Sequence, residues 1–243
     1  MSYVLIIGAK SDIAKAVARK YAENGYDLYL AARNSVELEE FAKDIHIRTQ
    51  KVVKCLELDV LDYESHAIFY GDLEEKPLGV VSAVGYLGKQ DKAQNSFEEC
   101  KKIIDTNYTG VVSLLNIIAS DFERRESGFV VGISSVAGDR GRKSNYIYGS
   151  AKAALTAYLS GLRNRLYNAN VHVLTVKPGF VATKMTEGMD LPEKLTTQPK
   201  YVAEAIYKAQ QKGQNVLYTK WIWQLIMWII RNIPECIFKK LNL

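Results

Sequence analysis

The sequence predicts an α/β fold built as one domain, a doubly wound parallel sheet with helices on both faces. Three observations lead there. Short apolar runs alternate with longer amphipathic segments from the start of the chain to about residue 219. No stretch rich in Pro, Gly or Ser interrupts this alternation, and no internal repeat or low-complexity segment occurs. The first apolar run also ends in a glycine that opens onto a helix, the arrangement with which such sheets hold a pyrophosphate.

Taken in order, strands are expected at 3–7, 27–31, 52–57, 78–83, 129–133, 171–176 and 215–218. Each is a run of apolar residues too short for a helix and of the right length for a strand buried on both faces. Helices are expected at 11–23, 35–48, from 62, 96–125, 146–167 and 199–212. The first opens on Ser11 or Asp12, either of which can cap it, and the one at 199 opens on a proline, whose missing N–H costs nothing there.

Composition narrows the function. A formal charge of +5 spread over 243 residues, with no basic stripe interleaved with aromatics, argues against nucleic acid as a partner. Cys55, Cys100 and Cys236 are far apart and isolated from His46, His66 and His172, so neither a disulfide framework nor a metal site is expected. The first residues carry no basic segment or cleavage pattern of a leader, and a cytoplasmic protein is the default expectation.

The chemistry concentrates between residues 135 and 152. Of the fifteen tyrosines only Tyr148 has a lysine four residues on, Lys152, and on a helix that spacing places phenol and ammonium on one face. A phenol needs a large downward shift from about 10 to act as a base near neutrality, and a neighbouring cation has the right sign to supply it. Gly149, Ser150, Ala151, Ala153 and Ala154 would let a flat ligand approach. Ser135, at the end of the fifth strand, could bring its hydroxyl to the same substrate oxygen. Asn107 is polar among apolar neighbours, and taken on its own it reads first as a satisfied core amide.

Ligands of such sheets bind at the carboxyl ends of the strands. After the first strand stand Gly8, Lys10, Ser11, Asp12 and Ile13, candidates for the pyrophosphate turn, although Asp12 and Ala14 occupy positions where further glycines are expected. After the second, Arg33, helped by Lys10, could clamp a 2′-phosphate, which favours NADP(H) over NAD(H). Asp59, followed by Val60, could receive an adenine amino group or cap the helix from 62, and Gly85 leaves room beside a ribose. Pro178, Gly179, Val181 and Thr183 form a stiff turn suited to the nicotinamide side.

Over residues 3 to 219 this set resembles the short-chain dehydrogenase/reductase family. Tyr148 and Lys152 match its Tyr-x-x-x-Lys motif, Ser135 and Asn107 its catalytic serine and asparagine, Gly8 its glycine motif, Asp59 its adenine-contacting aspartate, and Pro178-Gly179 its turn after the sixth strand. Two departures stand out: Ile7-Gly8-Ala9-Lys10-Ser11-Asp12-Ile13-Ala14 replaces the usual TGxxxGxG, and Ser82-Ala83-Val84-Gly85 replaces Asn-Asn-Ala-Gly. The resemblance implies a seven-stranded three-layer Rossmann fold, assembly as a homodimer or homotetramer, and hydride transfer between NADP(H), or less favourably NAD(H), and a carbonyl or alcohol substrate. Tyr148 would be the acid or base, Ser135 would hold the substrate oxygen, Lys152 would hold the nicotinamide ribose and lower the tyrosine pKa, and Asn107 would position a water. A nucleotide-binding redox sensor without catalysis is the alternative class, and a complete Asn-Ser-Tyr-Lys set argues against it.

The chain continues past the last strand into a tail, 220–243, with all three tryptophans, Trp221, Trp223 and Trp228, and with Lys220, Arg231, Lys239 and Lys240. Its apolar run is half the length a bilayer span requires. A subunit interface, a lid over the cleft, and a helix lying on the inner face of the membrane through the three tryptophans all remain open. With Gly85-Tyr86-Leu87-Gly88-Lys89-Gln90, the tail resembles the branch of the family that reduces keto-sugars carried on polyprenyl phosphate, which adds a lipid-linked substrate to the generic carbonyl or 3-oxoacyl alternatives.

Overall fold

The computed structural model describes residues 2–241. Seven parallel strands form one sheet in the order β3-β2-β1-β4-β5-β6-β7: β1 Tyr3–Ile7, β2 Asp27–Ala32, β3 Val53–Glu57, β4 Gly79–Ser82, β5 Gly128–Ile133, β6 Val171–Lys177 and β7 Val216–Tyr218. β1 is buried throughout, and its residues alternate between two cores: Val4 and Ile6 join one, Leu5 and Ile7 the other. The first core is closed by α1 (Asp12–Glu23), α2 (Glu39–Thr49) and α8 (Pro199–Gln211). On the opposite face lie α3 (Ser65–Gly71), α6 (Gly110–Arg125) and α7 (Tyr146–Leu166), with the short α4 (Gln90–Ala93) and α5 (Phe97–Ile104) nearby. A tail helix, α9 (Trp221–Asn232), and one further turn, α10 (Glu235–Phe238), follow β7.

The winding reverses between β1 and β4, so a crevice opens at their carboxyl ends. Gly8 sits there in the left-handed region at φ 77°, and a Cβ on it would lie 3.0 Å from the backbone of Ala83 and Val84. Only glycine lets the two strand ends come this close.

Three local differences from the expected elements have physical causes. The helix expected over 96–125 is two helices, α5 and α6, joined by a π-helical turn at Asp105–Thr109 that carries Asn107. The helix expected from 62 starts at Ser65, because Asp59 and Asp62 fold the chain before it into turns through Asp62 N–H to Asp59 O and Ser65 N–H to Asp62 O. The segment before α2, Ser35–Leu38, is a 3-10 turn, entered from Asn34 at φ 51°. Among the described residues no helix is long and apolar enough to cross a membrane.

Candidate active site

Ser135 and Tyr148, thirteen positions apart, meet because two glycines let the turn Val136–Gly138 lie directly on α7. A Cβ on Gly138 would fall 2.7 Å from the backbone of Lys152 and Ala153, and one on Gly149 would fall 2.8 Å from Ala137 O. Ser134 N–H donates to Val176 O and Val136 N–H to Pro178 O, which stitches the end of β5 to the end of β6. Ser134 Oγ reaches Lys152 O at 2.8 Å. Ser135, between Ser134 and Val136, is therefore held between β6 and α7 on both sides.

Lys152 is 2% exposed, and its Nζ donates to Val84 O at 3.2 Å and Ile133 O at 3.1 Å, the carbonyls just beyond β4 and at the end of β5. It has no carboxylate partner among the described residues, and burial pulls its pKa down to about 7. Tyr148 is half-buried, with its ring centroid 5.8 Å from that ammonium. Its pKa moves opposite to the shift expected of a phenol beside a cation. Burial pushes it up to about 12, and a hydrogen bond from Ser135 opposes this only in part. The same dry environment that makes the lysine readily neutral keeps the phenol protonated.

Asn107 is fully buried and both its N–H donors are used: Nδ2 donates to Tyr86 O at 2.7 Å and Ile103 O at 2.8 Å, while Oδ1 accepts Tyr86 N–H at 3.2 Å. The amide clamps the chain after Gly85 in strand-like fashion. A Cβ on Gly85 would lie 3.6 Å from Asn107 Oδ1, 3.8 Å from Lys152 Nζ and 3.5 Å from Met185 Cε. The absent side chain of Gly85 thus leaves a space in which the amide, the ammonium and the segment after β6 face one another.

On the other side of the crevice, Ser11 Oγ accepts Ala14 N–H at 3.1 Å and caps α1, so Ser11 rather than Asp12 is the cap. The Asp12 carboxylate instead accepts Lys184 N–H at 2.8 Å and ties the segment after Thr183 to the start of α1. Ile13 follows on the first turn of that helix, whose leading N–H groups have no intrahelical acceptors. Arg33 is exposed and has no ion-pair partner among the described residues, whereas Lys10 pairs with Glu37 at 2.6 Å. Arg33 and Lys10 are therefore not a free pair, because a carboxylate has already claimed the lysine. Glu57 accepts Asn34 N–H and Ser35 N–H at 2.8 Å each, which fixes the loop that bears Arg33. Asp59 Oδ1 accepts Leu61 N–H at 3.0 Å, and Val60 O lies where a Cβ on Gly110 would come within 2.2 Å, so α6 packs tightly on this turn.

The turn after β6 is built against the tail. Pro178 O receives Val136 N–H, and a Cβ on Gly179 would fall 2.0 Å from Trp223 Nε1. Val181 bridges to Thr197, and Thr183 and Thr186 cap each other in the segment between. Trp223 Nε1 donates to Leu195 O at 3.1 Å, and its ring meets Phe180 edge-on at 5.0 Å. At 4% exposure Trp223 lies inside the molecule and cannot be one of three tryptophans offered to a membrane; Trp221 and Trp228, at 71% and 65%, point outward.

The left-handed Gly8, the capped α1 and the space at Gly85 fit a dinucleotide laid across the switch point. A model of the short chain dehydrogenases matches residues 2–194. The chain belongs to the short-chain dehydrogenase family. It is an oxidoreductase of that family with an NAD(P)-binding Rossmann fold. It is 35% identical over 98% of its length to an uncharacterized oxidoreductase of Mycobacterium tuberculosis, covering 96% of that protein. A short-chain dehydrogenase from Sphingobium yanoikuyae in complex with NADPH superposes with a TM-score of 0.84 at 24% identity, over 97% of both chains. An alcohol dehydrogenase from Thermococcus sibiricus complexed with 5-hydroxy-NADP superposes with a TM-score of 0.78 at 26% identity, over 90% of this chain and 95% of that one.

Several residues that build this short-chain dehydrogenase site carry no local sequence signal. Asp139 pairs with Lys177 and accepts from Tyr218 at 2.7 Å, a nearly dry knot between the loop after Ser135, the end of β6 and β7. Arg140 donates to Ile230 O at 2.6 Å and Ile233 O at 2.7 Å, pairs with Glu235 at 2.8 Å and lies 3.6 Å over the Phe238 ring. Their partners lie 38 to 98 positions away, beyond any helical or strand period; the one cue in the sequence is a run of charge in the loop before Tyr148.

Proposed function

We propose that this oxidoreductase reduces a carbonyl to an alcohol with NADPH. The convergence of Ser135, Tyr148 and Lys152 at the carboxyl ends of β4 and β5 carries the reading. The nicotinamide, when bound, supplies the hydride. Tyr148, kept protonated through neutral pH, gives its proton to the oxygen that becomes the alkoxide, and Ser135 donates a hydrogen bond to that oxygen. Lys152 holds the nicotinamide ribose and, with a pKa near 7, takes up and releases protons at working pH. Asn107, whose carbonyl oxygen has a second lone pair facing the space at Gly85, holds the water that links Lys152 to solvent. Gly8, Ser11, Ile13 and the start of α1 take the pyrophosphate and Asp59 and Val60 the adenine, while Pro178, Gly179, Val181 and Thr183 take the nicotinamide side; Gly85, at which a Cβ would lie 3.8 Å from Lys152 Nζ, leaves room on that side rather than beside the adenine ribose. The unpaired Arg33 supports NADPH over NADH.

The narrower substrate reading is a keto-sugar carried on polyprenyl phosphate. The apolar cover of the cleft, Met185 and Leu195 backed by Trp223, and the outward aromatics of the tail support it over a generic ketone or a 3-oxoacyl thioester. Family resemblance supports a cytoplasmic homodimer or homotetramer.

NADPH consumption by the full chain against these three substrate classes tests the proposal. Tyr148→Phe is expected to lower turnover by about 10² to 10⁴ while NADPH binding is kept, and wild-type turnover in that variant would sink the mechanism. Arg33→Ala should weaken NADPH by about 1.5–3 kcal/mol and leave NADH unchanged; an equal loss for both would remove the phosphate clamp.

A further inference from the structure

α9 has two apolar faces, and the fold uses one. Trp223 and Met227 point inward and pack with Val136, Phe180 and Leu195. On the other side Trp221, Leu225, Trp228 and Ile229 stand 46–71% exposed, spaced four, three and one apart so that they form a single stripe, and Ile237 of α10 adds to it. A stripe of this kind on a folded protein marks a contact.

The charge around it says with what. From residue 220 onward the chain has Lys220, Arg231, Lys239 and Lys240 against a single acid, Glu235, and Arg140 already neutralises that acid. Beside the stripe, Arg142, Lys143, Glu235, Phe238, Lys239 and Leu241 line a cavity of about 140 Å³. Arg142 Nε is buried there with no hydrogen-bond partner among the described residues, a guanidinium donor that has given up water without gaining an acceptor. Facing a second copy, this surface would set cations against cations. Facing an anionic bilayer, it would place aromatic and aliphatic side chains at the acyl boundary and cations at the phosphates.

We propose that the outer face of α9 and α10 docks on an anionic lipid bilayer, with a lipid phosphate received in the cavity at Arg142, Lys143 and Lys239. The surface is preformed: Arg140 ties the end of α9 and the start of α10 to the loop before Tyr148. The inference does not rest on the hydride-transfer reading, since it uses none of the groups at the crevice; it shares only the outward aromatics of the tail with the lipid-linked substrate reading.

Sedimentation of the full chain with vesicles tests it. Binding to phosphatidylcholine mixed with phosphatidylglycerol is expected, weakening with added salt, and phosphatidylcholine alone should bind at least about tenfold more weakly. Trp228→Ser and Trp221→Ser replace exposed side chains and should each reduce binding by about tenfold with no change in thermal unfolding. Arg142→Gln should cost about fivefold on the anionic vesicles and nothing on the neutral ones. Equal binding to both compositions, or none to either, would overturn the proposal. So would full affinity in Arg142→Gln, binding of inorganic phosphate without vesicle binding, or a dimer that dissociates in Trp228→Ser while vesicles are ignored.

Discussion

Burial sets the electrostatics of Tyr148 and Lys152, and this yields a stability test that needs no substrate. Lys152 has a folded pKa near 7, against about 10.5 in an unfolded chain, so between those values the unfolded state binds the extra proton. Stability should therefore rise with pH across that window by on the order of 1 kcal/mol per unit, and the full penalty is present below pH 7. Tyr148 acts in the opposite sense: its folded pKa near 12 makes stability fall as pH rises above about 10. Chemical unfolding at pH 7, 8 and 9 should show a positive slope in the wild type that is absent in Lys152→Met, whatever constant offset the lost hydrogen bonds to Val84 and Ile133 add. Parallel slopes would mean that the lysine stays charged when folded. The pairing of Tyr148 with Lys152 was legible in the sequence because helical periodicity places residues four apart together. The direction of their pKa shifts was not, because desolvation depends on how many distant segments close over a group, and no spacing encodes that. Lys10 fell to Glu37, and Asp12 to Lys184 N–H, for the same reason.

At the level of elements, strand and helix alternation read correctly because the five inner strands of this sheet, β2, β1, β4, β5 and β6, lie between two helical layers and their apolar runs announce them, while the edge strands β3 and β7 are only half-covered. The π-helical turn at Asp105–Thr109 escaped, since one widened turn leaves the apolar pattern on both sides intact. That turn displaces the backbone where Asn107 must reach back to Tyr86, which straight helix geometry over 96–125 would not provide. α9 was visible as an apolar segment, but only packing separates its buried tryptophan from its exposed ones. Trp223→Ala should lower stability by about 3–5 kcal/mol and raise KM more than it lowers kcat, because the cavity opens under Gly179, Phe180 and Leu195 rather than at Tyr148. Thermal unfolding and steady-state kinetics on an identified substrate check this; a variant with wild-type stability would show that α9 is not part of the core.

Across the whole molecule, the crevice follows from strand order alone, and its two walls are joined by contacts that only a complete fold can make. Arg140 couples the loop before Tyr148 to the tail. Arg140→Ala is expected to speed amide hydrogen exchange throughout residues 221–238 while β1 to β6 keep their protection; unchanged exchange in the tail would show that the apolar contacts of Trp223 and Met227 suffice. The bond between Asp12 and Lys184 joins residues 172 positions apart in the chain. Closing a loop of that length in an unfolded chain costs several kcal/mol of entropy, about 4–5 by the logarithmic scaling, far more than one hydrogen bond returns. With β1 to β6 already paired, most of that cost has been met by the sheet. The segment after Thr183 is thus expected to take its shape only once the sheet has formed, so that competence to bind would follow, and not precede, completion of the strand order.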